Sequence, residues 1–269
     1  MDYWRDKGCL ITGGTAGLGL AIARQLALRQ AKLLINGRDP ARLEQAVTEL
    51  RALGAQVEPH QGDLSHPGTC AELVRKGLQL WGGVDLACHA AGRSMRGRLL
   101  DTTPEQFEAL WRLNTLAAFE LARASAGPLA TRAGHFVLIG SLASHVAPRF
   151  LGAYPATKFP LAALAQQMRL ELGPEGLHTL LVSPGPMSRP DSAPRYQEDA
   201  TSDLPGEAHR PGGGAKVELL DPEGVAMRIL AACERRRPVL VLPAKARWLF
   251  VINQLSAGWG DWLLRKMTS

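Results

Sequence analysis

Short apolar runs alternate along most of the chain with stretches whose apolar residues recur every three to four positions. Lys7-Gly8-Cys9-Leu10-Ile11 reads as a strand, and Leu20 to Ala27 as a helix. Ala31 to Ile35 is a second strand candidate. Leu43, Ala46, Val47, Leu50 and Leu53 then form one helical stripe across residues 40–53. A third strand begins at residues 55–57, and a helix covers 67–81. Residues 84–89 read as strand four, 104–126 as one long helix and 134–139 as strand five. A helix over 153–172 follows, with further strands at 177–182 and 239–242. This repetition predicts an α/β fold, a doubly wound parallel sheet of about seven strands in a single domain spanning 1–243.

Two stretches break the rhythm. Residues 186–216 are rich in Pro, Gly and charge, including Pro205-Gly206 and Gly212-Gly213-Gly214. A segment this long without periodicity reads as a substrate lid, with plain disorder as the alternative. Residues 244–269 form a C-terminal extension in which Trp248, Val251, Ile252, Leu255, Trp259, Trp262 and Leu263 follow a helical stripe flanked by Lys245, Arg247, Arg265 and Lys266. Such an amphipathic helix can pack on its own domain, close a substrate pocket, join two subunits or lie on a membrane surface.

Composition narrows the class. The formal charge is +6, and the tight basic run Arg235-Arg236-Arg237 precedes a strand rather than forming a stripe with aromatics. Nucleic-acid binding is therefore not expected. The four cysteines form no CxxC pair, and the seven histidines show no metal-ligand spacing. Cys9 and Cys88 read as buried apolar residues. No run reaches the ~18 apolar residues of a membrane span, and the N-terminus lacks the blocks of a signal peptide. The expected setting is cytoplasmic, reducing and free of metal.

The chemistry lies at the loops. Thr12-Gly13-Gly14-Thr15-Ala16-Gly17-Leu18-Gly19 stands between a strand and a helix. Glycines there allow a tight turn and close approach of a pyrophosphate, which the helix N-terminus attracts. After strand two comes Gly37-Arg38-Asp39-Pro40. An acid at the position of Gly37 would grip the ribose 2′-hydroxyl of NAD, whereas a guanidinium suits the 2′-phosphate of NADP. Asp39 reads either as the ribose ligand or as the N-cap of the helix that Pro40 opens; the favoured pairing is cap and NADP(H). Tyr154 and Lys158 share a helix face, with Ser141 thirteen residues before the tyrosine. An ammonium beside a phenol draws its pKa from about 10 towards neutrality, which takes roughly 3–4 kcal/mol. Pro160 is expected to remove one helix N–H and cost ~3 kcal/mol or kink the helix.

Together these residues resemble the short-chain dehydrogenase/reductase family, with its Rossmann-type fold, across nearly all of residues 7–185. The family's TGxxxGxG loop is matched by Thr12 to Gly19, its adenine-side Asp by Asp63, and its helical Asn by Asn114. Its catalytic Ser, Tyr and Lys fall on Ser141, Tyr154 and Lys158, and its Pro-Gly after strand six on Pro184-Gly185. The family's Asn-Asn-Ala-Gly turn reads His89-Ala90-Ala91-Gly92 here; Gly92 keeps the backbone role, and His89 reads as a buried structural histidine.

The resemblance implies hydride transfer between nicotinamide and a carbonyl or carbinol carbon. Tyr154 would protonate the substrate oxygen, Ser141 would hold it, Lys158 would assist, and the Asn114 carbonyl would extend a proton relay through water. The implied cofactor is NADP(H), bound by Gly13, Thr15, Gly17, Leu18, Gly19, Arg38, Asp63, Leu64, Ala91, Gly92, Tyr154, Lys158, Pro184 and Gly185. The expected partner is a small carbonyl or alcohol substrate, apolar or lipidic if the tail meets a membrane. A homo-oligomer is a family expectation. A nucleotide-binding sensor without turnover on the same fold is the alternative function.

Overall fold

Alternation inside each strand decides which layer each side chain enters. In the computed structural model, which describes residues 2–188, 204 and 219–267, Cys9, Ile11, Leu33 and Ile35 face one core while Leu10 and Leu34 face the other. The strands are β1 (Gly8–Thr12), β2 (Lys32–Gly37), β3 (Gln56–Gln61), β4 (Leu86–His89), β5 (His135–Ile139), β6 (His178–Pro184) and β7 (Val239–Leu242). They form one seven-stranded sheet in the order β3-β2-β1-β4-β5-β6-β7, and every pairing is parallel. The Rossmann-like expectation is met.

Helices cover both faces, as a parallel sheet requires. Helices α1 (Gly17–Ala27), α2 (Pro40–Ala52) and α7 (Pro222–Glu234) bury Ile22, Leu26, Val47, Leu50 and Ile229 in one core. Helices α3 (Thr69–Trp81), α5 (Ala117–Ala130) and α6 (Tyr154–Leu172) bury Leu73, Leu121, Leu161 and Met168 in the other. The chain passes from edge strand β3 back to β4, which lies on the far side of β1. That reversal opens a crevice at the carboxyl ends of β1 and β4, where such sheets bind ligands.

Two elements differ from the sequence expectation. The long helix over 104–126 is α4 (Pro104–Trp111), a π-helical turn Arg112–Leu116, and α5. The tail is two helices, α8 (Ala246–Leu255) and α9 (Ala257–Met267), because Ser256 adopts an extended backbone (φ −154°, ψ 111°). Its hydroxyl accepts the Trp259 N–H. Helix α6 runs through Pro160 from Tyr154 to Leu172 without interruption. Among the described residues no helix is long and apolar enough to cross a membrane.

Candidate active site

The glycine loop leaves β1 at Thr12 and enters α1 at Gly17. Gly13 (φ +62°) and Gly17 (φ +53°) take the left-handed conformation that L side chains resist. A Cβ on Gly13 would stand 2.8 Å from the Ala91 Cα, and one on Gly19 would strike the Gly13 carbonyl. The loop is therefore packed tightly against the β4 turn. Side chains cap α2 (Asp39), α4 (Thr103) and α7 (Asp221), but Ala16 gives α1 no side-chain cap, and its first turn holds no acid. These first N–H groups suit a phosphate, so the residues present fit a dinucleotide. Leu18 and Leu64 bury their side chains in the two cores, which leaves their main chain for ligand contact.

Gly37 ends β2 against Thr15. A Cβ at Gly37 would overlap the Thr15 methyl, so a side chain at the position of the NAD-type acid would have to displace Thr15. Arg38 follows, exposed, with a guanidinium nitrogen 3.7 Å from Asp63 Oδ2. Asp39 accepts the Arg42 N–H at 3.1 Å and caps α2, the favoured of its two readings. Burial pushes the Asp63 carboxyl up, but the amide and hydroxyl of Ser65 and the charge of Arg38 outweigh it and hold the group below the usual range.

Strand β5 delivers Ser141 to the N-cap of the short turn Leu142–Ser144. Its Oγ accepts the Ala143 N–H at 3.1 Å. Tyr154 opens α6, and Lys158 lies one turn on, with Nζ 6.0 Å from the phenol ring centroid. Lys158 is 4% exposed and donates to the Ile139 carbonyl at 3.1 Å. Burial lowers its pKa from 10.5 to about 8, so it stays largely protonated at neutral pH. Asn114 sits in the π-helical turn. Its Oδ1 accepts the Arg93 N–H at 2.9 Å, and its Nδ2 donates to the Arg93 carbonyl and to Thr157 Oγ1, both at 2.9 Å. A Cβ on Gly92 would stand 3.0 Å from Asn114 Oδ1 and 3.2 Å from Lys158 Nζ, so these three residues meet.

His89 fills the place of the missing asparagine as a buried neutral group. Its Nδ1 lies 3.3 Å from Thr12 Oγ1, which also accepts the N–H groups of Ala90 and Ala91. Burial, helped by the charge of Lys158, lowers its pKa to about 3. At the other rim, Gly185 donates to the Leu242 carbonyl at 2.7 Å. His145 Nε2 pairs with Ser183 Oγ at 2.9 Å, and the imidazole stacks on Phe250 of α8 at 4.3 Å between ring centroids. A cavity of about 690 Å³ is lined by Arg98, Arg149, Phe150, Leu151, Pro155 and Phe159 among others; Ser141, Tyr154 and Lys158 do not line it. Of the expected lid over 186–216, residues 189–203 and 205–218 lie outside the described residues.

A family model of the short chain dehydrogenases matches residues 7–200. The chain belongs to that family. A similar curated relative, dehydrogenase/reductase SDR family member 7B of Bos taurus, is 32% identical over 68% of this chain and 58% of its own length. The chain thus spans less than two thirds of that relative. Among solved structures, a short-chain dehydrogenase/reductase from Burkholderia phymatum in complex with NAD superposes with a TM-score of 0.83 at 21% identity, covering 96% of both chains. A short chain dehydrogenase from Burkholderia cenocepacia J2315 in complex with NADP gives 0.78 at 26% identity, covering 91% of this chain and 99% of the other.

Within the short-chain dehydrogenase fold, two features were missed from sequence. Thr157 ties three residues together: its hydroxyl donates to the Tyr154 carbonyl at 2.8 Å and accepts from Asn114 Nδ2, while its own carbonyl accepts from the Thr115 hydroxyl. Its place directly before Lys158 was the available signal. The second lies at the amino ends of β5 and β6, opposite the crevice, where His135, His178 and Cys233 converge with donor atoms within 4.8 Å. The histidine spacing gave no hint of this cluster. Hydrogen bonding accounts for both imidazoles in neutral form. His178 Nε2 lies 2.8 Å from the Arg237 carbonyl and must carry a proton; its Nδ1 then accepts from His135 Nδ1 at 2.8 Å; His135 Nε2 accepts from the Tyr3 hydroxyl at 2.7 Å.

Proposed function

We propose that this short-chain dehydrogenase is an NADP(H)-dependent oxidoreductase of carbonyls and secondary alcohols, working as a ketone reductase on an apolar substrate. The observation that carries the reading is the buried Lys158 ammonium beneath Tyr154, fixed between Ile139, Asn114 and Gly92. The nicotinamide, when bound, supplies or accepts the hydride. Everything else falls to the chain. Tyr154 gives the proton to the substrate oxygen, and Lys158 favours the phenolate that remains. Ser141 accepts from Ala143 but keeps its own O–H, which orients that oxygen. The Asn114 side chain is committed to Arg93 and Thr157, which leaves its main-chain carbonyl, in the π-helical turn, to hold the relay water. The apolar preference is drawn from Phe250, which stacks on His145 at the rim of the crevice.

Cofactor choice rests on Gly37 and Arg38. Position 37 holds no acid, and the exposed guanidinium of Arg38 retains N–H groups for a phosphate beyond its 3.7 Å pairing with Asp63. A panel of ketones and aldehydes, followed by NADPH and NADH oxidation, tests the reading. Turnover with NADPH is expected, and Arg38→Ala should weaken NADPH at least about ten-fold while leaving NADH nearly unchanged. Equal effects on the two cofactors would refute the phosphate role. Cofactor binding without turnover on any substrate would leave the sensor reading standing instead.

A further inference from the structure

Helix α8 turns its apolar stripe away from the protein. Phe250 faces inward and stacks on His145. Trp248, Val251, Ile252 and Leu255, spaced one helical face apart, point the other way; Trp248 is 72% and Leu255 81% exposed. No residue of α8 is buried, and α9 buries only Gly260, where a Cβ would collide with Asn253 of α8. On α9, Trp259 and Trp262 are also exposed, and Lys266 Nζ lies 5.3 Å from the Trp262 ring. A soluble chain rarely leaves three tryptophans and a leucine together in water without something to cover them.

Charge selects the occupant. Residues 244–267 hold four basic side chains (Lys245, Arg247, Arg265, Lys266) against one acid (Asp261), a net of +3, and all four basic residues are exposed. Two copies pressed together on this face would oppose like charges. Tryptophans beside lysine and arginine suit the boundary between acyl chains and anionic headgroups. We infer that the α8–α9 pair docks the protein, without crossing, on an anionic lipid surface. Because Phe250 of the same helix stacks at the rim of the crevice, docking would bring the active-site mouth near that surface.

Vesicle sedimentation with the full chain tests this. Wild type is expected to pellet with phosphatidylglycerol vesicles, weakly with phosphatidylcholine vesicles, and less as salt rises. The variant Trp248→Ser/Leu255→Ser/Trp259→Ser alters exposed positions and should keep the wild-type melting temperature. It should lose at least about ten-fold in partitioning. Wild type that stays in the supernatant with phosphatidylglycerol would overturn the inference. So would equal binding to both lipids at all salts, or a wild-type dimer that the variant converts to monomer with no vesicle binding, which would assign the face to a second copy. Turnover of a water-soluble ketone, read in parallel, reports on the reductase reading alone.

Discussion

Lys158 keeps its charge while 4% exposed, with its pKa pulled from 10.5 to about 8 by burial. Holding that charge at pH 7 costs the fold about 3 kcal/mol. A depressed base binds fewer protons in the folded than in the unfolded state between pH 8 and 10.5. Its contribution to stability therefore rises through that window and is least favourable below it. Lys158→Met should thus abolish turnover yet stabilise the protein at pH 7 by about 1–3 kcal/mol, after loss of the hydrogen bond to the Ile139 carbonyl. Urea unfolding at pH 7 and pH 9.5 would show the gain shrinking at the higher pH. A variant less stable than wild type at pH 7 would show that the ammonium is structural. The Gly92 contacts make the same point in space, since the smallest added side chain would press on both Asn114 and Lys158.

The first residues of β5 and β6, His135 and His178, pair in register and are hydrogen-bonded to each other, and Tyr3 closes the chain from outside. Burial, then the neighbouring His178, lowers His135 to about 3; burial, helped by the charges of Arg236 and Arg169 and opposed by the hydrogen bond to the Arg237 carbonyl, lowers His178. A histidine held neutral in the fold contributes stability above the unfolded value near 6.5 and loses it as pH falls towards the folded value. Between about 6.5 and 3, His135 should weaken the protein by up to about 1.4 kcal/mol per pH unit. Melting temperature should fall between pH 6.5 and 4.5, less steeply in His135→Gln; identical slopes would contradict the assignment. At this scale much was legible. The strands show as apolar runs because both faces of a parallel sheet are buried. Asp39 before Pro40 marks the start of α2. The π-helical turn carries no signature of its own, since Arg112–Leu116 continues an ordinary helical sequence. The break at Ser256 was hidden because the apolar stripe keeps its period across it, from Leu255 to Trp259.

The whole molecule is organised by one reversal of strand order. It brings the glycine loop, Arg38, Asp63, Gly92, Ser141 and Pro184-Gly185 to the carboxyl end of the sheet, from segments far apart in the sequence. The strand-end positions of these candidate residues were largely readable because the residues carry fixed short spacings around strand ends. What escaped depends on distant contacts: His145 against Phe250, and Asn114 against Thr157, join elements that no local pattern connects. In the proposed function Tyr154 moves the proton while the rest of the crevice binds and orients. Single-turnover NADPH oxidation in Tyr154→Phe, with a ketone that wild type reduces, is the sharpest test of that role. The rate should fall at least about 100-fold with NADPH affinity unchanged. A rate within a few-fold of wild type would contradict the account.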